Sequence, residues 1–285
     1  MKKQNLTDSP DKPSRLETAI DEAIATGSLT SLLDVLERRS NLPGTRPNLE
    51  FARATGIAIA ARRGRADALV RALLSLTGEY QLIVCAQVLA QRALAGIDAR
   101  SAMQKLHDLA DEPRHLVRLG VIAAVRDIIA ARGDDALAEL SSWTDGYLHA
   151  HVVLEALADR QVLDKLQSPA RLLERLDEAF VLADVSPRAA ERTQGLRSLR
   201  EGLPAQVAVM AGRFGEVIDW VSGKTVMQRP ETREVVRNVI SALRKANLKN
   251  AEALRLLGAL DATAKPPRNP DRIVAGTRKR SKGRE

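Results

Sequence analysis

Residues 111–124 read DEPRHLVRLGVIAA and predict the first part of an amphipathic helix. Apolar residues recur here at helical spacing, so one side of the helix is expected to face a core. The pattern continues to Arg132, and Gly133 then supplies the residue with which many helices end. Asp134 follows as an expected N-cap. The segment therefore predicts two consecutive helices joined by a glycine.

The same unit recurs on both sides of this segment. At the N-terminal end, Ser14 and Glu17 have the spacing of a capping box, and Gly27 is expected to end that first helix. Residues 168–183 are interpreted as an inserted helix. Predicted helical hairpins start near residues 14, 46, 79, 111, 145, 186 and 229. The central starts are separated by about 33 residues, a period typical of stacked helical repeats.

Most predicted first helices begin near a proline and carry an arginine within a small apolar stripe. The pairs are Pro47 with Arg53, Pro113 with Arg118, Pro187 with Arg192, and Pro230 with Arg237. In this respect the chain resembles HEAT-repeat proteins over residues 14–260, although the unit near Glu79 lacks the proline. The resemblance implies a right-handed α-solenoid of stacked two-helix repeats, whose concave face binds proteins or nucleic acids.

Composition supports an all-α chain with an aliphatic core. Hydrophobic residues make up 45% of the 285 residues, whereas aromatic residues make up only 2%. Leucine and alanine favour helices, while aromatic residues favour strands. Polar residues dominate 1–13, and prolines and basic residues dominate 261–285. We therefore expect a disordered segment at 1–13, a helical body at 14–260 and a disordered basic tail at 261–285.

The sequence offers few groups for targeting or for metal binding. No apolar run has the length of a membrane span, and a polar stretch follows Met1 where a signal peptide needs an apolar one, so we expect a cytoplasmic protein. Cys85 is the single cysteine and lies in an apolar run, which predicts a buried thiol. His149 and His151 are two apart on a predicted helix and are expected to point apart. Neither a metal site nor a cofactor is predicted.

No familiar catalytic motif occurs in the chain. Ser222–Thr225 contains the Gly-Lys-Thr of a phosphate loop, but Ile218 occupies the position where that motif needs glycine. Residues 216–221 also read as a helix rather than the required strand, and Gly223 is then expected to cap that helix. The patterns G-x-S-x-G, H-E-x-x-H and G-x-G-x-x-G are all absent from the sequence. No catalytic residue is therefore predicted.

Trp143, Asp145 and Tyr147 cluster where two predicted repeats meet, and His149 follows them. Alkylpurine DNA glycosylases use a HEAT-like scaffold that places aromatic residues and a carboxylate in a basic concave groove. By that resemblance Trp143, Asp145 and Trp220 would line such a groove. The simpler interpretation is that Trp143 packs between repeats while Asp145 caps a helix, which is a common place for aspartate.

Basic residues are concentrated at the C-terminal end. From Lys265 to Glu285, eight basic and two acidic residues give +6 of the total charge of +8, which leaves +2 for the remaining chain. Two predicted helices also carry arginines, at 188–200 and at 233–245. The residues expected to contact nucleic acid are Arg278, Lys279, Arg280, Lys282 and Arg284 in the tail, and Arg192, Arg197 and Arg237 in the body. The alternatives are a solubilising tail and ordinary solvated helix faces.

Two hypotheses about function follow. The first is a non-enzymatic α-solenoid scaffold that binds a protein on its surface, with a basic tail that contacts DNA or RNA regardless of base sequence. The second is a DNA-binding enzyme resembling the HEAT-type glycosylases. A basic groove lined by Trp143 and Trp220 would favour the enzyme. A groove that is apolar, or acidic and basic by turns, would favour the scaffold.

Overall fold

The computed structural model describes residues 14–246 and 250–264, and these residues form fifteen α-helices and no strand. The helices are α1 (Arg15–Thr26), α2 (Thr30–Arg39), α3 (Leu49–Ala61), α4 (Asp67–Leu74), α5 (Glu79–Leu94), α6 (Ala99–Ala110), α7 (His115–Arg132), α8 (Asp134–Glu139), α9 (Tyr147–Leu157), α10 (Arg160–Leu163), α11 (Ala170–Asp184), α12 (Gln194–Ala211), α13 (Glu216–Lys224), α14 (Pro230–Lys245) and α15 (Asn250–Ala262). Three short 3₁₀ segments cover Arg63–Ala66, Leu140–Thr144 and Arg188–Arg192. The all-α prediction is confirmed for the described residues.

Six helices pack side by side in chain order. Helix α3 packs on α5, α5 on α7, α7 on α9, α9 on α12, and α12 on α14. We call these six the spine helices. The intervening helices α4, α8, α13 and α15 each pack on one or two spine helices next to them in the chain. Helix α6 contacts α5, α7 and α9, and helix α11 contacts α9, α12 and α14. The segment predicted as an insertion, 168–183, corresponds to α11, which packs on α9.

Helix α5 is enclosed between its two spine neighbours. A Cβ atom added at Gly56 of α3 would lie 2.8 Å from the backbone carbonyl carbon of Gln87, and one at Gly120 of α7 would lie 3.0 Å from Cα of Ile83. Glycine at these two positions therefore allows close backbone approach. The Gln87 side chain also donates a buried hydrogen bond of 3.2 Å to the carbonyl of Gly120. As a result twelve of the 16 residues of α5 are buried.

The core is aliphatic, as the composition predicts. The largest fully buried side chains among the described residues are all leucine or isoleucine, for example Ile83 on α5 and Leu106 on α6. Burying each such side chain contributes about 1.5–3 kcal/mol. Two apolar clusters, one spanning α1–α5 and one spanning α5–α15, meet at α5. Among residues 14–246 and 250–264, no helix combines the length and apolarity needed to cross a bilayer.

The arginine of the best-matching repeat secures the start of its own helix. Arg118 lies in the first turn of α7 and is only 4% exposed. Its Nη1 donates hydrogen bonds of 2.7 Å to the carbonyls of Glu112 and Pro113. Those carbonyls precede the helix and lack helical partners. The arginine therefore supplies hydrogen-bond donors to the two backbone carbonyls that precede α7.

Several predicted helix ends are confirmed and others are wrong. The Ser14–Glu17 capping box forms, and Gly27 ends α1 with a φ of 74°. Helix α3 begins at Leu49 rather than at residue 46, because Asn48 accepts a hydrogen bond of 3.0 Å from the backbone N–H of Phe51. The N-cap of α8 is Gly133, not Asp134.

The ends of the body also differ slightly from the prediction. Helix α15 continues to Ala262, two residues past the predicted boundary at 260. The predicted disordered segment 1–13 and residues 265–285 of the predicted tail lie outside the described residues.

Candidate functional site

His107, Asp145 and His149 meet at the junction of α6 and α9. His107 lies in the last turn of α6, Asp145 lies just before α9, and His149 lies in the first turn of α9. One potential ligand atom from each side chain lies within 4.8 Å of the other two. We call these three residues the histidine–aspartate cluster.

A hydrogen bond determines which nitrogen of the His149 ring carries the hydrogen. Nε2 of His149 lies 3.0 Å from the backbone carbonyl oxygen of His107. Because a carbonyl can only accept, Nε2 carries the hydrogen and Nδ1 of the neutral ring carries a lone pair. That Nδ1 is buried and has no hydrogen-bond partner among the described residues, although Oδ1 of Asp145 lies 3.3 Å away.

The second histidine presents its edge to the same carboxylate. Nε2 of His107 lies 3.1 Å from Oδ1 of Asp145. The two imidazole rings are stacked, with centroids 3.9 Å apart and planes inclined by 6°. Burial lowers the pKa of His149, and the neighbouring His107 lowers it further, while Asp145 opposes both effects. The neutral form of His149 is thereby favoured.

Both histidine rings pack against the buried ring of Trp143. Trp143 is 2% exposed and meets the His107 ring edge-on, with centroids 5.3 Å apart and planes at 86°. Gly146 leaves the room that the His149 ring occupies, since an added Cβ would lie 2.4 Å from Nδ1. The two rings are therefore positioned by packing against Trp143, and the absence of a side chain at Gly146 leaves space for the His149 ring.

A surface cavity of about 360 Å³ adjoins the cluster. Its lining residues are His107, Trp143 and Asp145, together with Arg100, Met103, Gln104, Glu139 and Ser142. The carboxylate of Asp145 is 55% exposed. Water and small solutes can therefore reach the carboxylate side of the cluster, while Trp143 closes the other.

The predicted groove residues are divided between different places. Trp143 and Asp145 lie together, and Tyr147 is partly buried at the start of α9, close to Gly195 of α12. Trp220 belongs to a separate cluster, where its Nε1 donates a hydrogen bond of 3.0 Å to Asp177 and its ring meets Phe180 edge-on.

The helix-cap interpretation of Asp145 is wrong, whereas the packing interpretation of Trp143 agrees with the structure. The N-cap of α9 is Gly146, and the Asp145 carboxylate contacts the two histidines instead. Sequence reasoning missed His107 because that residue belongs to the preceding unit. The available signal was the spacing of Asp145 and His149, one helical turn apart.

The expected arginine stripe over residues 188–200 does not form along one helix. Arg188–Arg192 is a 3₁₀ segment, and Thr193 then caps the separate helix α12. Arg200 points into an ion network, where it bonds Glu191 at 2.6 Å and Ser186 at 3.0 Å. Arg229 donates to the same Glu191 carboxylate. These arginines serve packing between α11, α12 and α14.

The three body arginines predicted to contact nucleic acid differ in their surroundings. Arg192 and Arg197 are exposed, and no carboxylate among the described residues forms an ion pair with either. Arg237 pairs with Asp261 at 2.5 Å. The predicted contacts Arg278, Lys279, Arg280, Lys282 and Arg284 lie outside the described residues.

A row of polar contacts links four of the spine helices, α3, α7, α9 and α12. Arg53 of α3 reaches Asp127 of α7 at 2.7 Å, across α5. Arg126 of α7 donates to the backbone carbonyl of Glu155 on α9 at 3.1 Å, and Gln206 of α12 donates to the Glu155 carboxylate at 2.9 Å. We call these five residues the spine polar row. Acidic and basic groups alternate along it.

The phosphate-loop interpretation is not supported. Residues 222–224 lie inside α13, and that helix continues past Gly223 to Lys224, so the expected glycine cap is wrong. The Lys224 ammonium pairs with Asp177 and lies 5.2 Å from the centre of the Trp220 ring. This lysine is therefore held by its neighbours rather than presented to a phosphate.

In comparisons with known proteins, no family model, curated protein or solved structure matches this chain. The resemblance to HEAT repeats therefore stays a prediction that rests on the residues quoted for it.

Proposed function

We propose that the protein is a non-enzymatic scaffold, a right-handed α-solenoid of HEAT-like repeats that binds a protein partner on its surface. The ordered packing of the spine helices, each against the next in the chain, supports this architecture. A stack of such units exposes a long continuous surface, and extended surfaces of this kind are used to bind macromolecules.

The observation that carries the proposal is the spine polar row. Arg53 and Arg126 are paired with acidic residues, and Arg237 elsewhere in the body is paired as well. Of the three body arginines predicted to contact nucleic acid, Arg192 and Arg197 have no carboxylate partner among the described residues, so they alone stay free for phosphates. A surface that binds nucleic acid needs cations left free for phosphates. Alternating charge instead suits a partner that itself carries both signs, which is the usual state of a protein surface.

The burial of Trp143 counts against the glycosylase-like alternative. Enzymes of that kind hold an extruded base by stacking it on exposed aromatic side chains. Trp143 is 2% exposed, and Trp220 is engaged with Asp177 and Phe180. The Trp143 ring is therefore not available to a base, and the Trp220 ring is only partly exposed.

Nucleic acid enters the proposal through the C-terminal tail. The segment from Lys265 to Glu285 carries +6 and has no aromatic residue. Contacts made by such a segment neutralise phosphates without base stacking, so binding should ignore sequence and weaken steeply with salt. With up to about six contacts, the log–log salt slope on duplex DNA should approach about −5.

The test captures partners with full-length protein and with protein truncated after Ala264, with and without nuclease. A scaffold should retain the same protein partner in all four conditions, while truncation should remove most of the salt-dependent DNA binding. Loss of every partner on nuclease treatment, or release of methylated bases from alkylated DNA, would overturn the proposal.

Surface variants locate the binding face in the same assay. Ile57 on α3, Val185 after α11 and Leu254 on α15 are exposed by 47%, 68% and 65%. We expect one of the three variants Ile57→Glu, Val185→Glu and Leu254→Glu, the one whose residue lies in the binding face, to release the partner. The other two variants should still bind the partner and serve as matched controls. A partner released equally by all three would be binding nonspecifically.

A further inference from the structure

We propose that His107, Asp145 and His149 bind a single divalent transition-metal ion with the coordination chemistry of zinc. Two imidazole nitrogens and one carboxylate oxygen form a donor set that zinc accepts readily. The inference goes beyond the scaffold function and does not depend on it, because metal binding can be measured without any partner.

Nδ1 of His149 is a buried ring nitrogen that has no hydrogen-bond partner among the described residues. Its lone pair faces Oδ1 of Asp145 across 3.3 Å, and both atoms are electron donors. Two lone pairs at this distance repel each other unless a proton or a metal ion lies between them. The residue is only 8% exposed, so water cannot easily relieve that contact. A metal ion bound by both atoms would satisfy them together.

The remaining hydrogen bond of His149 matches one that commonly supports a metal-bound histidine. A metal-bound histidine usually donates its other ring N–H to a carbonyl or a carboxylate. Nε2 of His149 does this with the carbonyl of His107 at 3.0 Å. Nδ1 of His107 has no hydrogen-bond partner among the described residues, and the nearest carboxylate oxygen, Oδ1 of Asp108, lies 3.9 Å away.

The cluster needs only a small closure to reach coordination distances. Metal bonds of about 2.0–2.2 Å place ligand atoms about 3.2–3.6 Å apart in a tetrahedral site. The corresponding atoms here already lie within 4.8 Å of one another. Asp145 is 55% exposed and can rotate toward the rings, and Gly146 keeps the approach to Nδ1 of His149 open.

Metal binding at this place would join two neighbouring helical units. His107 lies in the last turn of α6, whereas Asp145 lies just before α9 and His149 in its first turn. The adjoining cavity of about 360 Å³ leaves space for water as a fourth ligand. The metal would therefore tie α6 to α9 and should raise the unfolding temperature of the protein.

The experiment uses full-length protein without a histidine tag, treated with a chelator and then titrated with zinc chloride against a chromophoric competitor. We expect one ion per chain. Cobalt(II) titration should give the absorption bands of a four- or five-coordinate site and should quench fluorescence from Trp143, measured in a Trp220→Phe background. Absence of stoichiometric zinc binding would refute the site.

Variants separate this site from nonspecific binding. We expect His107→Ala and His149→Ala to weaken zinc binding by more than the roughly 10–100-fold that loss of an outer partner costs. His115→Ala and His151→Ala are the matched controls and should bind zinc as the unmodified chain does. If the controls weaken binding equally, the proposal is wrong.

A further variant covers the case in which the buried histidine variants fail to fold. The Asp145 side chain is half exposed, so Asp145→Ala should keep the circular dichroism spectrum and the metal-free unfolding temperature. We expect that variant to lose both the zinc affinity and the rise in unfolding temperature. Retention of both would exclude Asp145 as a ligand and overturn the proposed site.

Discussion

Gly56 lies where the backbone of α3 comes closest to that of α5. A methyl group there would meet backbone atoms of Gln87 at 2.8 Å, and backbone cannot move aside as a flexible side chain can. We expect Gly56→Ala to lower the free energy of unfolding by about 1–3 kcal/mol, the usual cost of overpacking. Urea denaturation followed by circular dichroism measures it.

The matched control is Gly258→Ala on α15. A Cβ there meets no atom within 4 Å, so the substitution removes only the backbone freedom of glycine. It should leave stability unchanged or raise it by up to about 1 kcal/mol. Similar losses in both variants would mean that the contact between α3 and α5 is not the cause.

Cys85 gives a second test at this scale. Burial raises the pKa of its thiol to about 12, and the residue is 2% exposed. Because the thiolate is the reactive form, the folded protein should not react with a thiol reagent at pH 8. The unfolded chain, with Cys85 as its single cysteine, should release one equivalent of chromophore. Rapid labelling of folded protein would contradict the burial of α5.

Sequence patterns predicted single residues well where the cause is local. The burial of Cys85 and the Ser14–Glu17 cap follow from neighbouring residues and are confirmed. The partner of His149 could not be predicted in the same way. His107 is separated from it by 42 positions, and only the packing of α6 on α9 brings the two rings together.

At the scale of a helix, the start of α3 depends on one side chain. Oδ1 of Asn48 accepts the N–H of Phe51 at 3.0 Å, which satisfies a donor that the helix cannot. We expect Asn48→Ala to lower the free energy of unfolding by about 1 kcal/mol, while Asn48→Asp should be nearly neutral. Paired urea denaturation curves measure both, and equal losses would show that capping is not responsible.

Helix existence was predictable throughout the body, and helix ends were less so. Apolar spacing identifies a helix because many residues contribute to it. The end of a helix depends on one or two side chains that hydrogen-bond backbone N–H groups in place of the helix's own carbonyls. Thr193 illustrates this, since its hydroxyl accepts the N–H of Leu196 and divides the expected helix over residues 188–200 into two elements.

At the scale of the whole molecule, the position of a helix in the ordered packing of the spine helices should determine its local stability. Central spine helices have neighbours on both sides, whereas α1, α2 and α15 have neighbours on one side. In stacked arrays stability comes from such interfaces. Hydrogen exchange followed by mass spectrometry should therefore find the slowest exchange in α5 and α7, and faster exchange toward both ends. Uniform protection along the chain would contradict a stack of semi-independent units.

The contact between Arg53 and Asp127 has a mechanical consequence. In stacked repeats each unit touches its immediate neighbours. Here α3 and α7 also touch each other across α5, so moving them apart must separate the Arg53 guanidinium from the Asp127 carboxylate. Because the Arg53 side chain is 57% exposed, salt should screen this pair and let α3 and α7 move apart more readily.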